Sequence, residues 1–292
     1  MEKKGIIEDV FVSWADFRNE TSKMVPDLDY HKYIWRGQSR SDWMIESSWK
    51  RLKSNGTLDD YLKILDRVYD QISTWSDKEW DIYEKDEKLI SKKQQNPYLN
   101  EQEYIEKIEN KRYNNKELFS FLAFLQHHGF PTPMIDCTKS PYIASYFAFE
   151  GSYDNHCNSV AIYRIDKTLL KNISDTEVCK DVKMPVIIEA SSKGNVKQII
   201  QQGLYLTLSE KEILKLNEDL KRMVNYSVEP IIKKFTINNS DRKNAMRELE
   251  QMGINHLSLF PDIEGMCRML KEKFFQSADP GLVEEMVNIF SK

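Results

Sequence analysis

The stretch QHHGFPTPMIDCTKSPYIASYFAF, residues 126–149, decides much of the fold, because it joins a cluster of turn-forming residues to an apolar run. Its first half holds two histidines, two prolines and a glycine, and its second half alternates small and aromatic residues. Gly129 suits the end of a helix that starts near residue 116, and the prolines stiffen the chain beyond it. The pattern predicts a rigid turn, a short strand at 134–136 and a buried helix over 141–149.

Elements of both kinds surround this stretch. Aromatic and β-branched residues predict strands in YIWRGQ (33–38), SVAIYRI (159–165), PVIIEA (185–190), PIIKKFTI (230–237) and HLSLF (256–260). Helices are predicted over residues 10–17, 195–202, 210–223, 240–253 and 262–274. Ser240 is the expected N-cap of the fourth helix, and Pro261 is expected to begin the fifth. The alternation predicts an α+β fold with a mixed central β-sheet.

Residues 58–112 differ in character from the rest of the chain. Their first part, LDDYLKILDRVYDQISTW (58–75), has apolar residues at helical spacing, and the remainder is rich in charged residues. Solvated helix faces explain such charges, so the block is predicted to be a helical insertion within one domain that spans residues 1–292. An interaction scaffold that binds a partner protein through this block is one function that the sequence leaves open.

The composition excludes several classes of protein. The chain has 292 residues and a formal net charge of −4, which gives no general attraction to nucleic acid or to a membrane. Its four cysteines are scattered without CxxC or paired Cys/His spacing, so neither a zinc site nor a disulfide framework is expected. No apolar run is long enough to span a bilayer, and the N-terminus lacks the apolar core of a signal peptide. These features predict a cytoplasmic protein without a metal ion.

Arg36 is the first candidate for ligand binding. It lies near the end of a predicted strand, where its paired N–H donors suit a phosphate or a carboxylate. Gly37 beside it would let a ligand approach the backbone closely. From this tripeptide alone, a structural ion pair with a carboxylate is the simpler explanation of the arginine.

Asp136 and Thr138 form the second candidate site. They are two residues apart in the predicted strand, so their side chains face the same way. A carboxylate and a hydroxyl that point together suit the hydroxyl groups of a sugar. Structural roles remain open for both, because Asp136 can accept backbone N–H groups and Thr138 or Ser140 can cap the helix that starts at Pro141.

Three other polar residues also have structural explanations. His127 stands near a helix end, and Gln202 follows a short helix in QQGLYLT (201–207). Glu264, in LFPDIEG (259–265), suits the first turn of a helix, although an acid at an element boundary also suits a catalytic base. The chain has no GxGxxG, GxxxxGK[ST] or GxSxG motif.

Taken in order, these segments resemble the FRG domain family over residues 33–270. The resemblance rests on four groups of residues: Trp35-Arg36-Gly37-Gln38; residues 126–148; Asn195 and Lys197 with Gln201-Gln202-Gly203 and Tyr205; and Met252-Gly253-Ile254 with Leu259-Phe260-Pro261-Asp262 and Gly265. The chain departs from the family's usual Phe, Arg, Trp and Arg at Trp35, Pro133, Cys137 and Lys197. Without an arginine at position 133, the turn there is less suited to binding an anion.

The motif order of this family is similar to that of ADP-ribosyltransferases, whose aromatic-Arg-Gly strand holds NAD. The resemblance implies a sheet core like that of those enzymes, with Arg36 on the diphosphate of NAD. Asp136 and Thr138 would orient the nicotinamide ribose, and Glu264 would stabilise the oxocarbenium-like transition state, with Glu229 as the alternative acid. The other implied contacts to NAD are Gly37, Gln38, His127, Gln202 and Tyr146.

The implied function is that of an NAD-dependent ADP-ribosyltransferase, a transferase that modifies a macromolecular acceptor, or of an NAD glycohydrolase. It would act in bacterial antiviral defence or as a toxin. The alternative is a non-catalytic module that binds a nucleotide or a modified macromolecule through the same pocket. Release of nicotinamide from NAD distinguishes the enzyme from the binding module.

Overall fold

The computed structural model describes residues 7–24, 32–52, 58–76, 78–82, 116–153, 157–174, 187–188, 196–207 and 230–276. The chain divides into two compact units, each with most of its contacts between its own residues. The first unit comprises Met1–Ile45, Asp136–Ile187 and Ser192–Lys292, and the second comprises Glu46–Ile135 and Ile188–Ser191. Most of the charged part of the predicted helical block, residues 83–112, lies outside the described residues, as does the helix predicted over residues 210–223.

Among the described residues, seven strands form one sheet: β1 (Ile7–Val12), β2 (Tyr33–Gln38), β3 (Ile135–Thr138), β4 (Ser159–Asp166), β5 (Ile187–Ile188), β6 (Gly203–Leu206) and β7 (Ile232–Asn238). Their order across the sheet is β1-β7-β4-β2-β3-β6-β5. Strand β1 runs parallel to β7, whereas β4 is antiparallel to both β7 and β2, and β2 is antiparallel to β3. The predicted α+β class with a mixed central sheet is therefore confirmed.

The described helices are α1 (Trp14–Ser22), α2 (Ser48–Leu52), α3 (Leu58–Ser76), α4 (Lys116–His127), α5 (Pro141–Ser152), α6 (Lys167–Ser174), α7 (Val196–Ile200), α8 (Arg242–Gln251), α9 (His256–Leu259) and α10 (Ile263–Lys271). A 3-10 turn, Asn239–Asp241, precedes α8, and a π-helical turn, Glu272–Gln276, follows α10. No helix among the described residues is long and apolar enough to cross a bilayer.

Helix α5 packs against β2 and β4 on one face of the sheet. Ser140 caps it by accepting a hydrogen bond from the N–H of Ile143, and Pro141 occupies its first turn, as the sequence predicts. The helix and strand approach so closely that a Cβ atom on Gly37 would lie 1.8 Å from the carbonyl oxygen of Ala144. The core of this layer is aromatic and aliphatic, and it includes Trp14, Phe17, Trp35, Phe149, Phe235 and Leu249.

The N-terminal segment differs from the predicted helix over residues 10–17. Residues Ile7–Val12 instead pair with β7 at six successive positions. Helix α1 follows only after Ser13, whose side chain accepts from the N–H of Asp16 while the carboxylate of Asp16 accepts from the N–H of Ser13. This capping box starts the helix at Trp14, so the first three residues of the predicted helix, 10–12, belong to a strand instead.

Three predicted boundaries near the C-terminus are also wrong. Residues 256–260 do not form a strand, because a capping box between Asn255 and Ser258 starts α9 there. Ser240 is not an N-cap, since its own N–H donates to the side chain of Asn238 within the 3-10 turn. Asp262, rather than Pro261, marks the start of the last helix, and its carboxylate accepts from the N–H of Gly265.

The second unit contains α2, α3 and α4. The ring of Phe121 in α4 lies 5.3 Å from that of Tyr69 in α3 and 4.9 Å from that of Trp80. Gly129 follows α4 with a φ of 81°, a conformation that few residues with a side chain adopt, so it serves as the predicted helix stop. Beyond it, the hydroxyl of Thr132 bonds to the side chain of Gln126, and its N–H bonds to Ser48.

Candidate functional site

Arg36 lies on β2 near the middle of the sheet. Because neighbouring Gly37 faces α5, alternation along the strand places the Arg36 side chain on the opposite face, beside the fully buried Tyr163 of β4. The Nη1 atom of the half-buried guanidinium donates to the main-chain oxygen of Asp136 at 2.6 Å. Its Nε atom is buried and has no hydrogen-bond partner among the described residues, and none of their carboxylates forms an ion pair with it.

Asp136 and Thr138 project from the other face of the sheet. The register pairs Thr138 with Trp35, so the side chains of both residues share the face of Trp35 rather than that of Arg36. Arg36 and Asp136 therefore meet through the main chain, while the carboxylate of Asp136 is exposed. This differs from the expectation that the guanidinium, the carboxylate and the hydroxyl point into one cleft.

The hydroxyl of Thr138 joins β3 to the turn between α7 and β6. It donates to the carbonyl oxygen of Gln201 at 2.8 Å and accepts from the N–H of Ser140 at 3.1 Å. Gln202, in the same turn, has a φ of 49°, and its carbonyl oxygen accepts from the N–H of Lys139 at 3.1 Å. The side chain of Thr138 and the main chain of Gln202 thus hold the sheet together, and a ribose would have to displace these bonds to use the threonine hydroxyl.

Gln38 shares the face of Arg36 and is almost wholly buried, with 4% of its surface exposed. Its Nε2 atom donates to the carbonyl oxygen of Trp43 at 2.6 Å, and the hydroxyl of Tyr163 donates to the same oxygen at 3.3 Å. The Oε1 atom of Gln38 has no hydrogen-bond partner among the described residues. The Nε donor of Arg36 and the Oε1 acceptor of Gln38 therefore lie on the same face of β2, and neither has a hydrogen-bond partner among the described residues.

Gly37 packs against helix α5. The backbone of Ala144 and Ala148 fills the space that a side chain would need, with the N atom of Ala148 at 2.8 Å from the position of a Cβ. The glycine thus allows close packing of strand and helix. This explanation differs from the expected approach of a ligand to the backbone.

Cys137 lies beside Arg36 on the same face. Burial raises the pKa of its thiol to about 12, although the positive charge of Arg36 lowers it in part. The thiol is therefore protonated at neutral pH and is a poor nucleophile. Cys137 contributes an apolar wall to the surroundings of the guanidinium.

Tyr146 lies on the α5 side of the sheet, and only 1% of its surface is exposed. Its hydroxyl contacts Nδ1 of His256 at 3.2 Å and Oε2 of Glu272 at 3.4 Å. A ring buried to this degree has no face open for stacking, so its observed role differs from the expected contact with nicotinamide.

Glu264 lies on the surface of α10. Its side chain is 71% exposed and pairs with Arg268 one turn later at 2.8 Å, and no described contact joins it to Arg36. The neighbouring Asp262 pairs with Lys197 at 2.9 Å. A hydrogen bond from the N–H of Gly265 and the contact with Lys197 lower the pKa of Asp262. These observations agree with the helix-capping explanation of the segment, and the alternative acid, Glu229, lies outside the described residues.

His127 is the last residue of α4 and belongs to the second unit, whereas Arg36 belongs to the first. Its side chain is exposed, and its ring lies 5.4 Å from that of His128. Within the described part of the chain, no group of three or more His, Cys, Asp or Glu side chains is placed to hold a metal ion.

The turn after β2 is a part of the site that the sequence reasoning missed. Residues 39–45 cross the face of the sheet that carries Arg36. The carbonyl oxygen of Trp43 accepts hydrogen bonds there from the side chains of Gln38 and Tyr163. In the same turn, Arg40 forms two hydrogen bonds with Asp42, at 2.9 and 2.6 Å. The sequence carries a signal for this turn, because Ser, Arg, Ser and Asp follow Gln38 and such residues favour turns. Its position over this face depends on long-range packing.

Comparison with protein families matches residues 31–157 to the FRG domain. The matched segment includes β2, β3 and α5, and therefore Arg36, Asp136 and Thr138. Comparison with curated proteins and with solved structures gave no match.

Proposed function

We propose that the segment that matches the FRG domain, residues 31–157, binds NAD and that the protein cleaves its nicotinamide–ribose bond, as an ADP-ribosyltransferase or an NAD glycohydrolase. Arg36 is the residue that grips the diphosphate in this proposal. Asp136 contributes its main-chain oxygen, which accepts from the guanidinium, while its carboxylate lies on the other face of the sheet. Glu229, the alternative acid that the resemblance implies, is the acid in this proposal. Glu264 has no such role here, because it pairs with Arg268 on the exposed side of α10.

The observation that carries the proposal is the incomplete bonding of Arg36. Buried N–H groups are almost always paired in folded proteins. Arg36 donates to one carbonyl oxygen, its Nε–H has no acceptor among the described residues, and none of their carboxylates neutralises it. An anionic ligand would supply both the missing acceptor and the missing charge.

The proposed reaction requires charge stabilisation at two places. The bond between the ribose C1′ and the nicotinamide nitrogen breaks, and nicotinamide leaves with the electron pair. The oxocarbenium ion that remains is captured by water or by a nucleophile of a macromolecular acceptor. Arg36 holds the anionic diphosphate, and the carboxylate of Glu229 is assigned to the ribosyl cation.

A non-catalytic module that binds a nucleotide or a modified macromolecule is the second candidate. The bonding of Thr138 favours it, because both roles of the hydroxyl are taken by Gln201 and Ser140. The exposure of Glu264 favours it as well, since an acid on the surface is poorly placed to stabilise a buried transition state. The same guanidinium would bind ligand in both cases, and only turnover distinguishes them.

Nicotinamide release from NAD by the purified full chain tests the proposal. The wild-type protein is expected to release nicotinamide, and Arg36→Lys is expected to lower the rate at least about tenfold, since lysine keeps the charge but lacks the Nε–H and the forked geometry. Glu229→Gln is expected to lower the rate while it leaves the affinity for NAD nearly unchanged.

Arg268→Lys is the matched control, because Arg268 is an exposed arginine of α10 that pairs with Glu264. It should retain the wild-type rate. Stabilisation of the wild-type protein against heat by NAD without any release of nicotinamide would support the binding module instead. Neither release nor stabilisation by NAD would reject both candidates.

This activity would suit a cytoplasmic protein that acts as an effector in antiviral defence or as a toxin. Such a protein would modify a macromolecular acceptor, and residues 58–112 would bind a partner protein. Expression of the wild-type chain in bacteria is then expected to lower cellular NAD, and expression of Arg36→Lys is not. An unchanged NAD level with a fully folded protein would speak against an effector that consumes NAD.

A further inference from the structure

Helix α10 carries a row of apolar side chains on its surface. The members of this apolar stripe are spaced at i, i+3, i+4 and i+7 and therefore share one face of the helix: Ile263, Met266, Cys267 and Leu270. All four residues are exposed; Ile263 retains 80% of its accessible surface, Leu270 39% and Met266 36%. Single apolar residues are common on protein surfaces, whereas a continuous apolar patch marks a site of interaction.

The opposite side of α10 attaches the helix to the protein. Gly265 is the buried residue of this helix, and a Cβ atom there would lie 1.8 Å from the carbonyl oxygen of Phe260. Met269, one turn later, is half-buried. A surface helix normally turns its apolar face to the core and its polar face to solvent. In α10 a glycine instead takes the position closest to the protein, and the apolar stripe is exposed to solvent.

Helix α7 extends this apolar surface near the start of α10. Nζ of Lys197 lies 2.9 Å from a carboxylate oxygen of Asp262, the N-cap of α10, so the two helices are neighbours. Val196 and Ile199 of α7 are each 59% exposed. Because burial of apolar surface is the main favourable term in protein association, this surface would gain stability from a partner.

The charges of α10 are divided between its two ends. Asp262 and Glu264 stand at its beginning, and Arg268 and Lys271 stand in its last turn. Glu264 and Lys271 are seven residues apart, about two turns, so they lie on the same flank of the apolar stripe. A partner that matches this flank places a basic group opposite Glu264 and an acidic group opposite Lys271. A second copy of α10 that runs in the opposite direction has this distribution of charge.

An antiparallel pair of α10 helices also matches the apolar residues. A twofold axis between Met266 and Cys267 brings Ile263 against Leu270 of the second copy and Met266 against Cys267 of the second copy. At a rise of about 1.5 Å per residue, Glu264 and Lys271 of the second copy then differ by about 3 Å along the helix, within reach of an ion pair. A parallel pair would instead bring the acidic ends together and align the two helix dipoles.

We propose that the protein forms a symmetric homodimer in which two α10 helices pack antiparallel through their apolar stripes. Twofold dimers are the commonest oligomers, and their interface is self-complementary, as the stripe and its flanking charges are. The proposal goes beyond the function proposed above and does not depend on it.

Sedimentation of the full chain over a range of concentrations tests the dimer. The wild type is expected to approach twice the mass of one chain as the concentration rises, with a Kd on the order of 10 µM, because short helix faces make a small interface. Ile263→Lys puts a charge into the interface at two symmetric positions and should raise the Kd at least about tenfold. Phe11→Lys is the matched control and should keep the wild-type Kd, since Phe11 is an exposed apolar residue of another element, β1.

An exchange of charges tests the antiparallel arrangement. Glu264→Lys and Lys271→Glu each place like charges opposite one another at two symmetric positions, and each should raise the Kd at least about threefold. The double variant restores opposite charges across the interface and should return the Kd to the wild-type value. This recovery requires contact between two chains, because the two residues are two turns apart within one helix.

Cys267 reports the position of the twofold axis. Its thiol is exposed, whereas Cys137 is buried and Cys157 is half-buried. A short bismaleimide should join two wild-type chains through Cys267, and Cys267→Ser should abolish this product. If Ile263→Lys does not fold, the presence or absence of this cross-link decides the matter.

A wild-type chain that stays monomeric overturns the proposal. If Cys267 of that monomer also reacts slowly with a maleimide, compared with Cys267→Ser, another part of the chain, such as residues 277–292, covers the stripe instead. A dimer that Ile263→Lys leaves intact uses another surface and overturns the proposal as well. A double charge variant that remains as weak as the single variants refutes the antiparallel pairing.

Discussion

Replacement of Gly37 by alanine tests whether this glycine serves helix packing or ligand access. A Cβ atom at this position would lie 1.8 Å from the carbonyl oxygen of Ala144 and 2.8 Å from the nitrogen of Ala148. Non-bonded heavy atoms prefer a separation of roughly 3.5 Å, so α5 would have to move away from β2 by about 1.7 Å. Both atoms belong to the backbone of the helix, which cannot yield as a flexible side chain can.

The displacement would disturb a helix that buries Ile143, Tyr146 and Phe149 in the core. Overpacking of a well-packed core typically costs 1–3 kcal/mol, and a backbone clash belongs at the upper end, so we expect a loss of about 3 kcal/mol in the free energy of unfolding. For a protein of 292 residues the corresponding fall in Tm is roughly 5 °C.

Urea unfolding and thermal unfolding of Gly37→Ala measure this loss directly. Gly203→Ala is the matched control, because a Cβ there would meet its nearest neighbour, Cγ of Gln198, at an ordinary 3.4 Å. That variant should remain within about 0.5 kcal/mol of the wild type. An unchanged Tm in Gly37→Ala, together with lost binding of NAD, would refute the packing argument and restore ligand access as the reason for the glycine.

Three further variants test the bonds around the site. Thr138→Val should lower the free energy of unfolding by about 2 kcal/mol, because it leaves two partners of a buried hydroxyl without their bonds, and Thr138→Ser should restore most of the loss in urea unfolding. Ser140→Ala removes the cap of α5 and should cost about 1 kcal/mol by the same assay, and a cost near zero would show that the cap is dispensable. The pKa of Asp262 is lowered, so its contribution to stability is present above its ordinary value of 3.8 and is lost as the pH falls through the folded value. The Tm of the wild type should therefore fall more steeply than that of Asp262→Asn between pH 5 and pH 2, and parallel curves would contradict this assignment.

Local patterns predict much of the fold. The aromatic and β-branched residues of YIWRGQ predict β2, and Ser140 before Pro141 marks the start of α5. Where a strand-like alternation and a helix cap occur in the same segment, the alternation alone predicts the wrong element. Residues 256–260 alternate like a strand, but the side chain of Asn255 caps the N–H of Ser258 and makes the segment helical.

The candidate site depends on contacts that no local pattern contains. Arg36 and Asp136 are separated by 100 positions, and the pairing of Trp35 with Thr138 decides which side chains share a face of the sheet. A shift of one residue in this register would place Arg36 and the Asp136 carboxylate on the same face. The sequence therefore identifies the residues of the site, while the register between strands determines their arrangement.

The central claim is that the guanidinium of Arg36 is a binding group for an anionic ligand. Calorimetric titration of NAD into the wild type, Arg36→Lys and Arg268→Lys tests it most directly. We expect the wild type and Arg268→Lys to bind with the same Kd, and Arg36→Lys to bind at least about tenfold more weakly, a difference of about 1.4 kcal/mol. Equal affinities in all three proteins, with Arg36→Lys fully folded, would contradict the claim.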